Sequence, residues 1–121
     1  MLLKHTVYHM GLGDNGRFIG LLGTETGTNY IQPSASVVND DSWHLYTLVY
    51  DGIRVKVYVD AQEIYEREIT GHVKENIRDV YLGKDPWGTT FDGAIDEVQI
   101  FNTALNQTEI TDIFCSSSPT C

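Results

Sequence analysis

Apolar and polar positions alternate along most of this chain with the two-residue period of strands. The clearest case is Trp43–Tyr50 and Ile53–Val59, joined by Asp51-Gly52, a two-residue turn of the type that favours hairpins. In the second of these strands Val55, Val57 and Val59 share one face, and Arg54, Lys56 and Tyr58 share the other. One face is therefore expected to be buried and the other wetter. Leu2–Met10 and Arg17–Leu22 read as two earlier strands around GLGDNG, where Asn15-Gly16 signals a hairpin. Tyr30–Val38 reads as a weaker strand. Its Pro33 belongs at a sheet edge or a bulge, because proline has no N–H to give to a ladder. Glu63–Ile69 and Val80–Gly83 follow, separated by the polar link Thr70–Arg78, and Lys84–Thr90 forms a loop holding Pro86 and Trp87.

Ala94–Phe101, rich in branched and aromatic residues, predicts a last strand after the turn Phe91-Asp92-Gly93. Val98 and Ile100 fall on one face of it and Ile95 and Phe101 on the other, so either both faces are covered or a bulge shifts the phase. Asp96 then shares a face with Val98 and Ile100, and there it needs a cation, a basic side chain or backbone donors. The alternation gives way to a helical signature at Asn106. Its side chain can cap the first turn, and Glu109 three residues on can reach back as in a capping box. Leu105 and Ile110 occupy the two positions of a hydrophobic staple. About eight short strands with turn signals roughly every 8–12 residues, plus one terminal helix, predict an all-β antiparallel sandwich of the jelly-roll kind.

At 121 residues the chain suits one domain, expected over residues 1–114, with a tail at 115–121. The formal charge of −9 repels phosphate backbones, which argues against nucleic-acid binding. No apolar run approaches the roughly 20 residues of a membrane helix. The opening MLLKHTVYHM is too short and too polar for the apolar core of a secretion signal, which leaves a cytoplasmic domain or a piece of a longer secreted chain. Cys115 and Cys121 are the two cysteines, and their spacing does not match a zinc site. A disulfide between them would pin the tail behind the helix and favour an oxidising compartment.

Three stretches carry a resemblance. Trp43-His44, Tyr50-Asp51-Gly52 and Tyr58-Val59-Asp60 resemble the central hairpin of laminin-G-like, concanavalin A-like lectin/glucanase jelly rolls, with Ala61 where glycine is usual. VYLGKD (Val80–Asp85) and FDGAIDEVQIFNTALNQTEI (Phe91–Ile110) resemble two of its later segments. Members of this family run longer at the N-terminus, so the resemblance implies that the first strands are missing and a sheet edge is open to self-association. It also implies a binding module for a glycan or an extracellular protein, displayed outside the cell as part of a larger protein. Two alternatives are a fragment of a glycan-active hydrolase or lyase, and an assembly domain of a surface-layer or virion protein.

Catalysis is disfavoured from the residues. Glycoside hydrolysis needs two carboxyl groups flanking one bond, and the neighbours Asp96 and Glu97 would point to opposite faces of a strand. The histidines are scattered and no nucleophile motif accompanies them. Calcium is the cofactor implied by the resemblance, since hard oxygen ligands suit it. Asp96 is the first candidate ligand, with Asp14 and Asn15 in a turn that offers oxygens. For a sugar the candidates are Trp87, in a polar loop beside Pro86 and Gly88, and Tyr58 and Tyr81 on outer strand faces. Trp87 could instead cap the end of the sandwich. Trp43, opening a strand, reads as a core residue.

Overall fold

The computed structural model describes residues 1–34, 40–118 and 121. Among these residues eight strands form two antiparallel sheets. The strands are β1 (Leu2–Lys4), β2 (Tyr8–Leu12), β3 (Phe18–Thr24), β4 (Gly27–Ile31), β5 (Tyr46–Tyr50), β6 (Arg54–Val59), β7 (Gln62–Glu68) and β8 (Val80–Leu82). The first sheet runs β4-β3-β2-β1-β8 and the second β5-β6-β7. A helix, α1 (Gln107–Ser117), ends the chain. The fold is a β-sandwich with one short C-terminal helix, as the alternation predicts.

Between the sheets lie Phe18, Leu22 and Ile31 from the first and Val55 and Val57 from the second, closed by Ile69. All are nearly solvent-free, and Met10, Leu48, Ile64 and Tyr65 pack around them. Burial of this apolar surface is the main stabilising term. The hairpin forms with its turn one residue later than expected: Tyr50 pairs with Val55 and Asp51 N–H donates to Arg54 O, so Gly52 and Ile53 are the central residues, with Gly52 at a left-handed φ of 92° and the Asp51 carboxylate accepting from the N–H groups of Ile53 and Arg54.

Four larger features depart from the sequence expectation. Leu2–Met10 is two strands, not one. Residues 5–7 form a tight turn with Thr6 at φ 65°, and Val7 N–H donates to the Lys4 carbonyl at 2.9 Å. Gly23 explains why the turn sits there. Its N–H bonds Val7 O at 2.8 Å, its carbonyl accepts from Lys74 N–H at 2.9 Å, and a Cβ at this position would run into the Thr6 carbonyl. The strand expected over Tyr30–Val38 is β4, ending at Ile31, and positions 35–39 lie outside the described residues. Trp43 is 69% exposed and precedes β5, so it is not a core residue.

The fourth departure is Ala94–Phe101, which pairs with no strand among the described residues. Glu97 takes a left-handed φ of 52°, and its N–H is held by the Asp96 carboxylate at 2.8 Å, which breaks the extended run. Ile95, Val98, Ile100 and Phe101 are all exposed. The sandwich is also lopsided. At strand spacings of roughly 4.8 Å, five strands overhang three by about 10 Å. The strand registers put Val80 and Leu82 on the core-facing side with Leu22 and Ile31, yet both remain exposed.

Helix α1 begins where the capping signature places it. Glu109 N–H donates to Asn106 Oδ1 at 2.9 Å, and Asn106 N–H donates to Glu109 Oε2 at 2.8 Å. Ile110 is buried, and the Gln107 amide donates to the Ala61 carbonyl at 2.7 Å, so the helix is docked by the β6–β7 turn. Cys115 is disulfide-bonded to Cys121 behind it.

Candidate functional site

On the outer face of the first sheet lies a cleft of about 230 Å³ lined by His5, Ile77, Arg78, Asp79, Tyr81 and Pro86. Register explains its position. Tyr81 on β8 pairs with Leu3 on β1, two residues before His5, so both project to the outer side beside the turn that follows β1.

Two loops are braced around this corner. The link before β8 is tied down by Asn76, whose amide donates to His5 O at 2.8 Å and to Thr6 Oγ1 at 3.2 Å. Asn76 Oδ1 also accepts Arg78 N–H at 3.1 Å, an Asx turn that sets the direction of Arg78. One Arg78 nitrogen then donates to His5 Nδ1 at 2.7 Å, which leaves the ring proton on Nε2.

The loop after β8 is a small closed turn. Asp85 N–H donates to Thr89 O at 3.0 Å, and Phe91 N–H donates to Gly83 O at 2.8 Å. The Asp85 carboxylate accepts the N–H groups of Trp87 and Thr89, each at 2.9 Å. Partial desolvation works to raise the Asp85 pKa, but the Thr89, Trp87 and Gly88 donors outweigh it and hold the carboxyl below its usual range. The turn presents Trp87 with 66% of its surface open. Its ring meets His5 edge-on, with centroids 4.9 Å apart. A phenol, a guanidinium and a carboxylate thus line one shallow cleft, and the Trp87 ring stands beside it against His5.

Of the three predicted sugar contacts, the structure brings Trp87 and Tyr81 to this corner. Tyr58 is elsewhere and only 4% exposed, which removes it as a surface contact. The alternation put Tyr58 on the wetter face, but the β6–β7 register slips between Val57 and Tyr58. That end of the sheet is also where α1 is bonded to Ala61. His5, Arg78 and Asp79 were not legible as site residues, since nothing local in the sequence says that a turn at residue 5 meets a link at residue 78.

The predicted calcium ligands do not form a preformed cage. Asp14 and Asn15 lie exposed in a turn where Asn15 Oδ1 accepts Arg17 N–H, and Asp96 lies exposed on the unpaired segment. Among the described residues no group of three or more His, Cys, Asp or Glu is arranged to hold a metal. A second cleft of about 350 Å³ is lined by Lys4, Val7, Tyr8, Lys74, Glu75 and Asn76.

A further polar cluster stands at the other end of the sandwich. His44 Nδ1 is 2.8 Å from Asp60 Oδ2, and its Nε2 is 2.8 Å from Asp40 Oδ1. Asp60 Oδ1 accepts Leu45 N–H at 3.0 Å. Carboxylates only accept, and a neutral imidazole has a single N–H, so both contacts together require the doubly protonated ring. The Asp60 and then the Asp40 hydrogen bonds raise the His44 pKa.

Fold and site together define the class: a jelly-roll sandwich with a small polar-aromatic cleft at one sheet edge. Residues 4–111 match a laminin-G-type family model described as the Concanavalin A-like lectin/glucanases superfamily, and the chain belongs to that family. Among solved structures it is similar to residues 221–444 of an S-layer domain-containing protein from Clostridium thermocellum, at 18% identity and a TM-score of 0.53. The likeness covers 93% of this chain and 65% of that structure, so the chain spans less than two thirds of its length. At that identity it speaks for the fold. No curated protein matches the chain.

Proposed function

We propose that the chain is a non-catalytic module that binds glycan at the Trp87 cleft, displayed outside the cell as part of a larger protein. The observation that carries this reading is Trp87. A large aromatic face held open by a turn braced on the Asp85 carboxylate, against the cleft residue His5, is costly to leave in water unless something stacks on it. Membership of a lectin/glucanase superfamily and the S-layer protein with the same fold support a binding role at a cell surface. Asp79 is the carboxylate lining the cleft, and it lacks there the second acid that glycosidic hydrolysis uses. The test is a glycan array probed with and without calcium, the ion the family resemblance implies, using wild type and Trp87→Ala. Loss of signal on Trp87→Ala supports the reading, and an array silent in both conditions overturns it.

A second reading, an assembly domain, is favoured by the exposed apolar segment Ile95–Phe101 and the uncovered Val80 and Leu82. Light scattering on the purified chain separates the two. A stable oligomer that binds no glycan favours assembly.

A further inference from the structure

We propose that His44 is a proton-operated latch: the charged ring ties the loop 40–43 to the β6–β7 turn, and the neutral ring keeps the turn and lets the loop go. The device stands apart from the Trp87 cleft and does not depend on the glycan reading.

The first observation is the number of protons the contacts need. Nδ1 of the ring is 2.8 Å from Asp60 Oδ2, and Nε2 is 2.8 Å from Asp40 Oδ1. The imidazolium donates to both. A neutral ring has one N–H, so its other nitrogen turns a lone pair toward a carboxylate oxygen, and that contact opens. The titratable groups facing the ring are Asp60 from the β6–β7 turn, Asp40 from the loop and Tyr46 from β5, whose ring lies edge-on at 6.5 Å. Burial first, then Asp60 and Asp40, push the Tyr46 phenol up to about 12, so it stays neutral while His44 titrates. From α1 the neutral amide of Gln107 reaches the turn. Asp60 and Asp40 raise the His44 pKa, so the ring loses its proton above the ordinary value of about 6.5.

The second observation is which arm is fixed without the proton. Asp60 Oδ1 accepts Leu45 N–H at 3.0 Å, and Asp60 N–H donates to Leu45 O at 2.9 Å. Its neighbour Ala61 accepts from Gln107. These bonds place Asp60 whatever the charge on His44, and a neutral ring with its proton on Nδ1 still donates to it. Asp40 is 58% exposed. Its other bond, from Ser42 N–H at 3.0 Å, lies inside the same loop and travels with it. Asp40 is therefore the arm that releases.

The third observation is what the latch holds. Asp41 has a left-handed φ of 60°, which is unfavourable for a residue with a Cβ. Asp40 Oδ1 accepts from both Ser42 and His44 and so brackets this strained turn. When His44 lets go, only the Ser42 bond of that pair remains to oppose relaxation. Trp43 stands inside the bracket with 69% of its surface open. The latch thus decides whether an exposed indole, at the opposite end of the sandwich from Trp87, is held rigid.

The test is NMR of the full chain from about pH 5 to about pH 9. Ring-nitrogen shifts of His44 report its charge and tautomer. Carbon relaxation at the Cα of Ser42 and Trp43 reports their order, undisturbed by amide exchange at high pH. Their order parameters should lie near the rigid value of about 0.85 while the ring is charged and fall below about 0.6 once it is neutral. The neutral ring should carry its proton on Nδ1. Ile110 and Ile113 in α1 should stay rigid throughout, which shows that the fold is intact. Asp40→Ala should leave Ser42 and Trp43 flexible at both ends of the range with α1 still rigid. A loop that stays rigid as the ring loses its proton, or stays rigid in Asp40→Ala, overturns the latch. So does a loop already flexible while the ring is charged, a neutral ring protonated on Nε2, or an α1 that loosens together with the loop.

Discussion

Replacing His44 with glutamine tests the polar clasp at the far end of the sandwich. Glutamine can donate to one aspartate but carries no charge, so it loses the bridge. His44 is 17% exposed and Asp60 32%, so their bond is partly shielded from water and salt. A hydrogen bond between charged groups at 2.8 Å in such a setting contributes roughly 1–2 kcal/mol after discounting for the exposed side. No figure attaches to the Asp40 bond, which lies on an exposed carboxylate.

The pH dependence has a definite sign. The folded-state pKa of His44 is raised, by Asp60 first and Asp40 second. Its contribution is therefore complete below the unfolded value of about 6.5 and is lost as pH rises through the raised folded value. Asp40 works at the other end. Its pKa is lowered by His44 first and the Ser42 N–H second, so its contribution is lost as pH falls through that depressed value. The clasp is strongest between about pH 4 and 6.5. His9 and the N-terminal amine, whose pKa values burial lowers, act in the opposite sense. The comparison that isolates His44 is therefore wild type minus His44→Gln.

Thermal melts should show His44→Gln lower by about 4–8 °C near pH 6, with the gap closing as pH rises above the folded pKa. Proton NMR of the His44 ring should titrate above 6.5. A gap constant with pH, or a ring titrating at or below the ordinary histidine value, would refute the bridged imidazolium.

Other substitutions probe the rest of the fold. Gly23→Ala should cost about 3 kcal/mol or more in chemical unfolding, because the new Cβ meets the Thr6 carbonyl and the turn cannot move without losing the Val7 and Lys74 bonds. Asn106→Ala should cost about 1 kcal/mol in the same assay, and Asn106→Asp should recover most of it, since the capping acceptor is restored. Trp87→Ala should change stability by no more than about 0.5 kcal/mol while altering ligand titrations, because the ring is mostly in water. Phe101→Ser should likewise leave the melting temperature of a monomer nearly unchanged. If the exposed segment mediates assembly, the same variant should lower the mass seen by light scattering.

Legibility in the sequence followed the range of the forces involved. The Asp51-Gly52 hairpin and the Asn106–Glu109 box were readable because turn geometry and capping bonds close within a few residues. The Leu2–Met10 break was not, because it is imposed from a distance: the turn at Thr6 fits against Gly23, and nothing between Leu2 and Met10 announces that. Tyr58 failed for a related reason. Alternation fixes a side chain's face only while register holds, and a slip at Val57 together with a helix docked at Ala61 undoes the assignment. At the cleft, Trp87 and Tyr81 were readable as aromatic residues in suitable places. Their neighbours His5 and Arg78 come from opposite ends of the first sheet's connectivity and meet only through the β1–β8 pairing.

Ile95–Phe101 shows where pattern and structure part for a physical reason. A strand is a bimolecular property of chain segments: residue types supply the propensity, and a neighbouring edge supplies the hydrogen bonds. The sequence between Ala94 and Phe101 has the propensity, yet no described edge pairs with it, and Glu97 turns left-handed against the Asp96 carboxylate instead. On the same molecule Val80 and Leu82 face the core side of a sheet that its partner sheet is too narrow to cover. Among the described residues nothing covers either surface, and a single added strand carrying apolar side chains is the kind of element that would satisfy such surfaces. The cleft beside Tyr81 lies on the opposite face of β8, since Tyr81 points away from Val80 and Leu82. Binding at Trp87 and association through the apolar side are therefore compatible: Trp87→Ala should weaken ligand binding without altering mass, and Phe101→Ser should do the reverse.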